Sequence, residues 1–126
     1  MTVNSYPSMF QEDLYYFTEP VVVILKRTWD AYSPNEQNLL RKILTSVKVD
    51  INAVRILAGP SVEWSAVAAS GPSRVLIFGA DTKEDLASYE AVAAHGFTVI
   101  RADDLGELNE EKKKILWNGL RQMFGV

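Results

Sequence analysis

The chain has 126 residues, of which 48% are hydrophobic and 23% are charged, and its formal net charge is −3. This is the composition of one ordinary globular domain, and the absence of cysteine excludes disulfides, thiolate catalysis and cysteine-ligated metals. The negative net charge, the lack of a long apolar run and the lack of a signal peptide lead us to expect no direct nucleic-acid binding, no membrane contact and a cytoplasmic location.

Residues 1–18 stand apart as an aromatic arm or short helix. From Tyr6 to Phe17 the apolar side chains recur at helical spacing, with Pro7 tolerated in the first turn. Two interpretations remain open: the arm packs on its own domain, or it is an anchor for a partner protein. In the second case we expect the partner-binding residues to be Tyr6, Met9, Phe10, Leu14 and Tyr15.

Residues 19–126 then form a single α/β domain. Continuous apolar runs predict buried strands at Val21–Lys26 and, in the centre of the sheet, at Val75–Phe78. A second strand at Val54–Leu57 is interrupted by Arg55, which suits an edge position, and a fourth strand is predicted at Phe97–Ile100. Strands buried on both faces need helices on both sides.

Capping signals place the helices. Ser33-Pro34-Asn35-Glu36 predicts a capped helix after the first strand, and a long amphipathic helix is predicted from about Asn109 to Phe124. Between them, Thr82–Asp85 would open a helix that ends at Gly96. The segment Ser61–Ser70 is left without an assignment.

Acidic residues follow several of the predicted strands. Asp30, Asp81 and Asp103 or Asp104 would share the carboxyl edge of a parallel sheet, where they could hold Mg²⁺. This predicts, as the alternative function, a Mg²⁺- or nucleotide-binding α/β enzyme or receiver-like module. The competing interpretation is that these residues cap turns and helices.

No catalytic set supports the enzyme hypothesis. The single histidine, His95, would cap the helix that ends at Gly96 or lie on the surface, and no second histidine or cysteine is present to build a relay. No dinucleotide fingerprint or P-loop occurs in the chain, so no cofactor is predicted.

The C-terminal third carries a family resemblance. The segments Gly96–Ile100, Leu105–Leu108 and Lys112–Leu120, the last with the letters KKKILWNGL, are similar to the strand, leucine-containing turn and Lys-x-x-Leu-Trp-x-x-Leu helix of the psi subunit of bacterial DNA polymerase III. The earlier helix at Leu39–Leu44 and the strand at Val75–Gly79 fit the same plan.

This resemblance implies a three-layer α/β/α sandwich with a mostly parallel four-stranded sheet, like that of uracil-DNA glycosylase but without catalysis. It also implies an adaptor in DNA replication. The arm would dock on the clamp-loader ATPase, and the folded domain would bind the chi subunit, which contacts the single-stranded-DNA-binding protein. A separate hypothesis is a homodimer through the last helix, with Trp117 as its anchor.

Overall fold

The computed structural model describes residues 20–125. The strands are β1 (Val21–Leu25), β2 (Arg55–Ala58), β3 (Arg74–Phe78), β4 (Val92–Ala94) and β5 (Phe97–Ala102), and the helices are α1 (Pro34–Ser46), α2 (Trp64–Ala69) and α3 (Glu110–Phe124). Within this part of the chain, no helix is long and apolar enough to cross a membrane.

The sheet has five strands in the order β2-β1-β3-β5-β4, with β3 in the centre and β2 at one edge. Neighbouring strands are parallel except β4, which runs antiparallel to β5. The α/β class, the central strand and the edge position of β2 are therefore confirmed. The four-stranded sheet is wrong, because the short strand β4 adds a fifth and makes the sheet mixed.

Alternation along the strands divides the core into two faces. In β1, Val21, Val23 and Leu25 join the buried cluster that also contains apolar side chains of α1 and α3. Val22 and Ile24 join the opposite cluster, which includes Val67 of α2. Because every residue of β1 faces one of these layers, the whole strand is apolar.

The boundaries of α1 follow from its sequence. The Ser33 hydroxyl accepts from the Glu36 amide at 3.2 Å, and a Glu36 carboxylate oxygen accepts from the Ser33 amide at 2.8 Å, so the predicted capping box is present. At the other end, Lys48 lies in the left-handed region with φ 64°, and the Val49 amide donates to the Leu44 carbonyl at 2.9 Å. This is a Schellman cap with lysine where glycine is usual.

The predicted helix from Thr82 to Gly96 is wrong. The chain instead forms an irregular loop and then the β4–β5 hairpin, whose two turn residues His95 and Gly96 have φ of 54° and 86°. Positive φ at both central residues is typical of a type I′ turn, whose twist matches that of the two strands of a tight hairpin. Gly96 is therefore a hairpin residue and His95 caps no helix. The unassigned segment Ser61–Ser70 contains α2.

Candidate functional site

A groove of about 330 Å³ lies between α1 and α3. Five apolar side chains line it, and three polar residues complete its border; the apolar residues are Leu39, Ile43, Leu116, Trp117 and Leu120, and the polar ones are Lys42, Ser46 and Lys113.

Helical spacing explains why apolar side chains remain outside the core. Leu40 and Leu44 of α1 are buried against the sheet, and Leu39 and Ile43 lie one position earlier, on the flank of that stripe. In α3, Leu116 is buried while Trp117, the next residue, is 36% exposed. The flanks of the two helices face each other, so their partly exposed apolar side chains form one continuous surface.

The border of the groove carries positive charge. Lys42 and Lys113 lie on opposite sides of the groove, and Lys113 Nζ is 3.4 Å from Glu110 Oε1. Its neighbour Lys112 turns away and pairs with Asp103 at 2.8 Å. Lys112 and Lys113 are thus divided between the sheet edge and the groove.

At the carboxyl edge of the sheet, Asp103 is held by two donors. The Tyr89 hydroxyl donates to Asp103 Oδ2 at 2.5 Å, and Lys112 Nζ lies 2.8 Å from the same oxygen. The hydrogen bonds from Lys112 and then Tyr89 lower the pKa of Asp103 below its usual value. The same contact with Asp103 raises the pKa of Lys112. The Asp103 carboxylate therefore forms an ion pair with Lys112 of the same chain.

The adjacent Asp104 has a different environment. It is only 7% exposed, and its carboxylate accepts from Arg27 Nη2 at 3.1 Å, from the Tyr32 hydroxyl at 2.8 Å and from the Leu105 amide at 2.9 Å. Burial, followed by the hydrogen bond to Asp104, raises the pKa of Tyr32. Sequence reasoning missed this cluster, because nothing in the spacing of Arg27, Tyr32 and Asp104 links them.

The sheet edge also has a polar cleft of about 220 Å³. Gly79, Asp81, Ser88, Arg101 and Asp103 line it. An Asp81 carboxylate oxygen accepts from the Lys83 amide at 3.0 Å, and Arg101 donates to the Thr82 hydroxyl at 3.3 Å. The cleft thus contains two of the predicted acidic residues, one already paired with a lysine and the other bonded to its own turn.

The third predicted acidic residue, Asp30, lies in a turn of 3₁₀ helix at Trp29–Ala31. In the part of the chain that the structure describes, no group of three or more histidine, aspartate or glutamate side chains could hold a metal ion.

The predicted partner-binding residues Tyr6, Met9, Phe10, Leu14 and Tyr15 lie outside the described residues. Of the predicted site residues, Trp117 is the one that the structure places on the groove.

His95 lies on the opposite face of the sheet from the groove. Its ring stacks on Trp64 of α2 with centroids 4.1 Å apart, and its Nε2 is 2.9 Å from Glu84 Oε1. The Trp64 indole N–H in turn donates to the Thr82 carbonyl at 3.3 Å. These contacts join the β4–β5 turn, α2 and the loop after β3, which is a structural role.

Comparison of the chain with family models, curated proteins and solved structures finds no match in any of the three.

Proposed function

We propose that the chain is a non-enzymatic adaptor that resembles the psi subunit of the DNA polymerase III clamp loader and links replication proteins through protein–protein contacts. The family's uracil-DNA glycosylase-like fold is part of this proposal. The observation that supports it is the α1–α3 groove with the exposed Trp117 at its side.

The chemistry of the groove suits a peptide or helix of a partner. Two helices with an apolar channel between them form the geometry in which an amphipathic helix is usually bound. Tryptophan is among the residues that most often dominate the binding energy of an interface, because it buries a large area at a small entropic cost. Lys42 and Lys113 on the border would select an acidic flank on the partner.

The test is binding of the purified full chain to the purified chi subunit, measured by calorimetry, because the resemblance assigns chi to the folded domain that contains the groove. Substitution Trp117→Ala is expected to weaken binding at least about tenfold, the loss of one interface anchor. Ile115→Ala is the matched control, since Ile115 lies on the same helix and is 45% exposed but does not line the groove. Equal effects of the two substitutions, or no binding by the unaltered chain, would contradict the proposal.

A further inference from the structure

We propose that residues 9–17 of the same chain occupy the α1–α3 groove as a short helix when no partner is bound. The inference uses the groove and the sequence of the arm and does not depend on the adaptor role.

The arm joins the domain beside one end of the groove. β1 begins at Val21, whose register partner Arg74 donates from Nε to the Met123 carbonyl at 3.0 Å, so the chain enters next to the C-terminal end of α3. Ser46, the last residue of α1, lines the groove and lies at the same sheet edge, because β2 follows and runs parallel to β1.

The lengths agree. The groove is lined on α1 from Leu39 to Ser46 and on α3 from Lys113 to Leu120, each a span of seven helical steps, or about 10 Å. In the arm, Phe10 and Phe17 are also seven residues apart, with Leu14 between them on the same face of a helix. A helix of this length would place its three large apolar side chains along the channel.

The charges agree as well. Asp13, one position before Leu14, lies on the flank of this apolar stripe, while the groove is bordered by Lys42 and Lys113. A helix seated in the channel would bring that flank to one border of the groove, where the Asp13 carboxylate meets an ammonium group. A second copy or a partner could satisfy the same pattern, but a tethered segment acts at an effective concentration in the millimolar range. The tether therefore favours the chain's own arm.

The absence of cysteine allows a direct test in the full chain by disulfide trapping. Thr18→Cys, four residues after Leu14 and so on the channel side of the helix, is combined with Ser46→Cys at the groove or, as the matched control, with Ala69→Cys. Ala69 is also exposed on a helix and lies at the same sheet edge, but on the opposite face. Circular dichroism checks that both variants fold, and mild oxidation is followed by mass spectrometry of the peptides.

The groove pair is expected to form an intrachain disulfide at least about tenfold faster than the control pair, because docking of the arm raises the effective concentration of one thiol near the other. Adding Phe10→Ala and Leu14→Ala should remove that difference. Equal rates for the two pairs would overturn the proposal. So would a disulfide at Ser46→Cys that forms only between chains, which would assign the groove to a second copy, and so would an unchanged advantage without Phe10 and Leu14.

Discussion

The Tyr32 hydroxyl donates a hydrogen bond to Asp104 Oδ1 at 2.8 Å and so joins the segment after β1 to the segment after β5. The two residues are 72 positions apart in the chain, and both are buried, at 3% and 7% exposure. The same hydroxyl accepts from the Arg27 amide at 3.3 Å, and the Arg27 guanidinium stacks over the Tyr32 ring. This contact fixes the segments that follow β1 and β5, the two strands on either side of β3, against each other.

Substitution Tyr32→Phe should therefore destabilise the domain. It removes one hydrogen bond to a buried carboxylate while keeping the ring, and hydrogen bonds to charged groups contribute about 1.5–3 kcal/mol. We expect the free energy of unfolding in urea to fall by about that amount. A loss below about 0.5 kcal/mol would mean that solvent replaces the hydroxyl at no cost, contrary to the burial of Asp104.

The neighbouring residues Asp103 and Asp104 show where sequence reasoning ends. Both were placed at the carboxyl edge of the sheet, and that is where they lie. Their different roles depend on Lys112 and Tyr89 for Asp103 and on Tyr32 and Arg27 for Asp104, all distant in the sequence. Strand position follows from local apolar runs, whereas the partners of a carboxylate follow from tertiary packing.

The prediction of a helix in the loop before β4 was wrong for a similar reason. Leu86, Tyr89 and Ala93 have the spacing of a helix face, but the Tyr89 amide donates to the Arg101 carbonyl at 2.6 Å and Tyr89 has φ 63°. These long-range contacts outweigh a weak local periodicity. The groove could not be predicted from the sequence either. The spacing of apolar residues indicates the apolar stripes of α1 and α3, but it does not show that the flanks of these two helices lie side by side.

Gly119 is the point where α3 crosses the Tyr89 loop, and Gly119→Ala should reduce stability. A Cβ there would lie 2.6 Å from the Tyr89 carbonyl oxygen, which is backbone, and 2.7 Å from Ile100 Cδ1. Overpacking typically costs about 1–3 kcal/mol, against about 1 kcal/mol gained from alanine in a helix, so we expect a net loss of up to about 2 kcal/mol in urea unfolding.

The control for this change is Asn118→Ala, at the exposed neighbouring position of the same helix. It should alter the unfolding free energy by less than about 0.5 kcal/mol. A stabilising effect of Gly119→Ala would show that the Tyr89 loop moves aside freely.

Lys48 offers a stabilising change. It occupies the left-handed position of the Schellman cap of α1, where an L-residue with a Cβ carries a cost of about 1–2 kcal/mol. Lys48→Gly should therefore raise the free energy of unfolding by about 1 kcal/mol, part of the gain being lost to the greater entropy of glycine in the unfolded chain. Lys48→Ala keeps the Cβ and should leave stability nearly unchanged; if both variants gain equally, the removed charge is responsible.

The enzyme alternative is tested by magnesium titration of the full chain. Because Lys112 and Tyr89 already hold Asp103 and the Asp81 carboxylate bonds to its own turn, we expect no saturable heat of Mg²⁺ binding by calorimetry. Saturable binding that disappears on changing Asp81→Asn and Asp103→Asn would instead support the predicted metal site.

The ion pair between Asp103 and Lys112 should give stability a specific pH dependence. Since the folded-state pKa of Asp103 is lowered, chiefly by the hydrogen bond from Lys112, its contribution is complete above the unfolded-state pKa of about 3.9 and is lost as pH falls through the folded value. The difference in unfolding free energy between the unaltered chain and Asp103→Asn should therefore shrink as pH is lowered from 7 toward 3.

Urea unfolding at a series of pH values measures this difference. Both side chains of the pair are partly exposed, at 41% for Asp103 and 39% for Lys112, so added salt should reduce the effect. In the background of Lys112→Ala, the effect of Asp103→Asn should depend less on pH, since the main cause of the lowered pKa is gone. A difference that stays constant from pH 7 to 3 in both backgrounds would show that the Asp103 carboxylate titrates alike in the folded and unfolded chains.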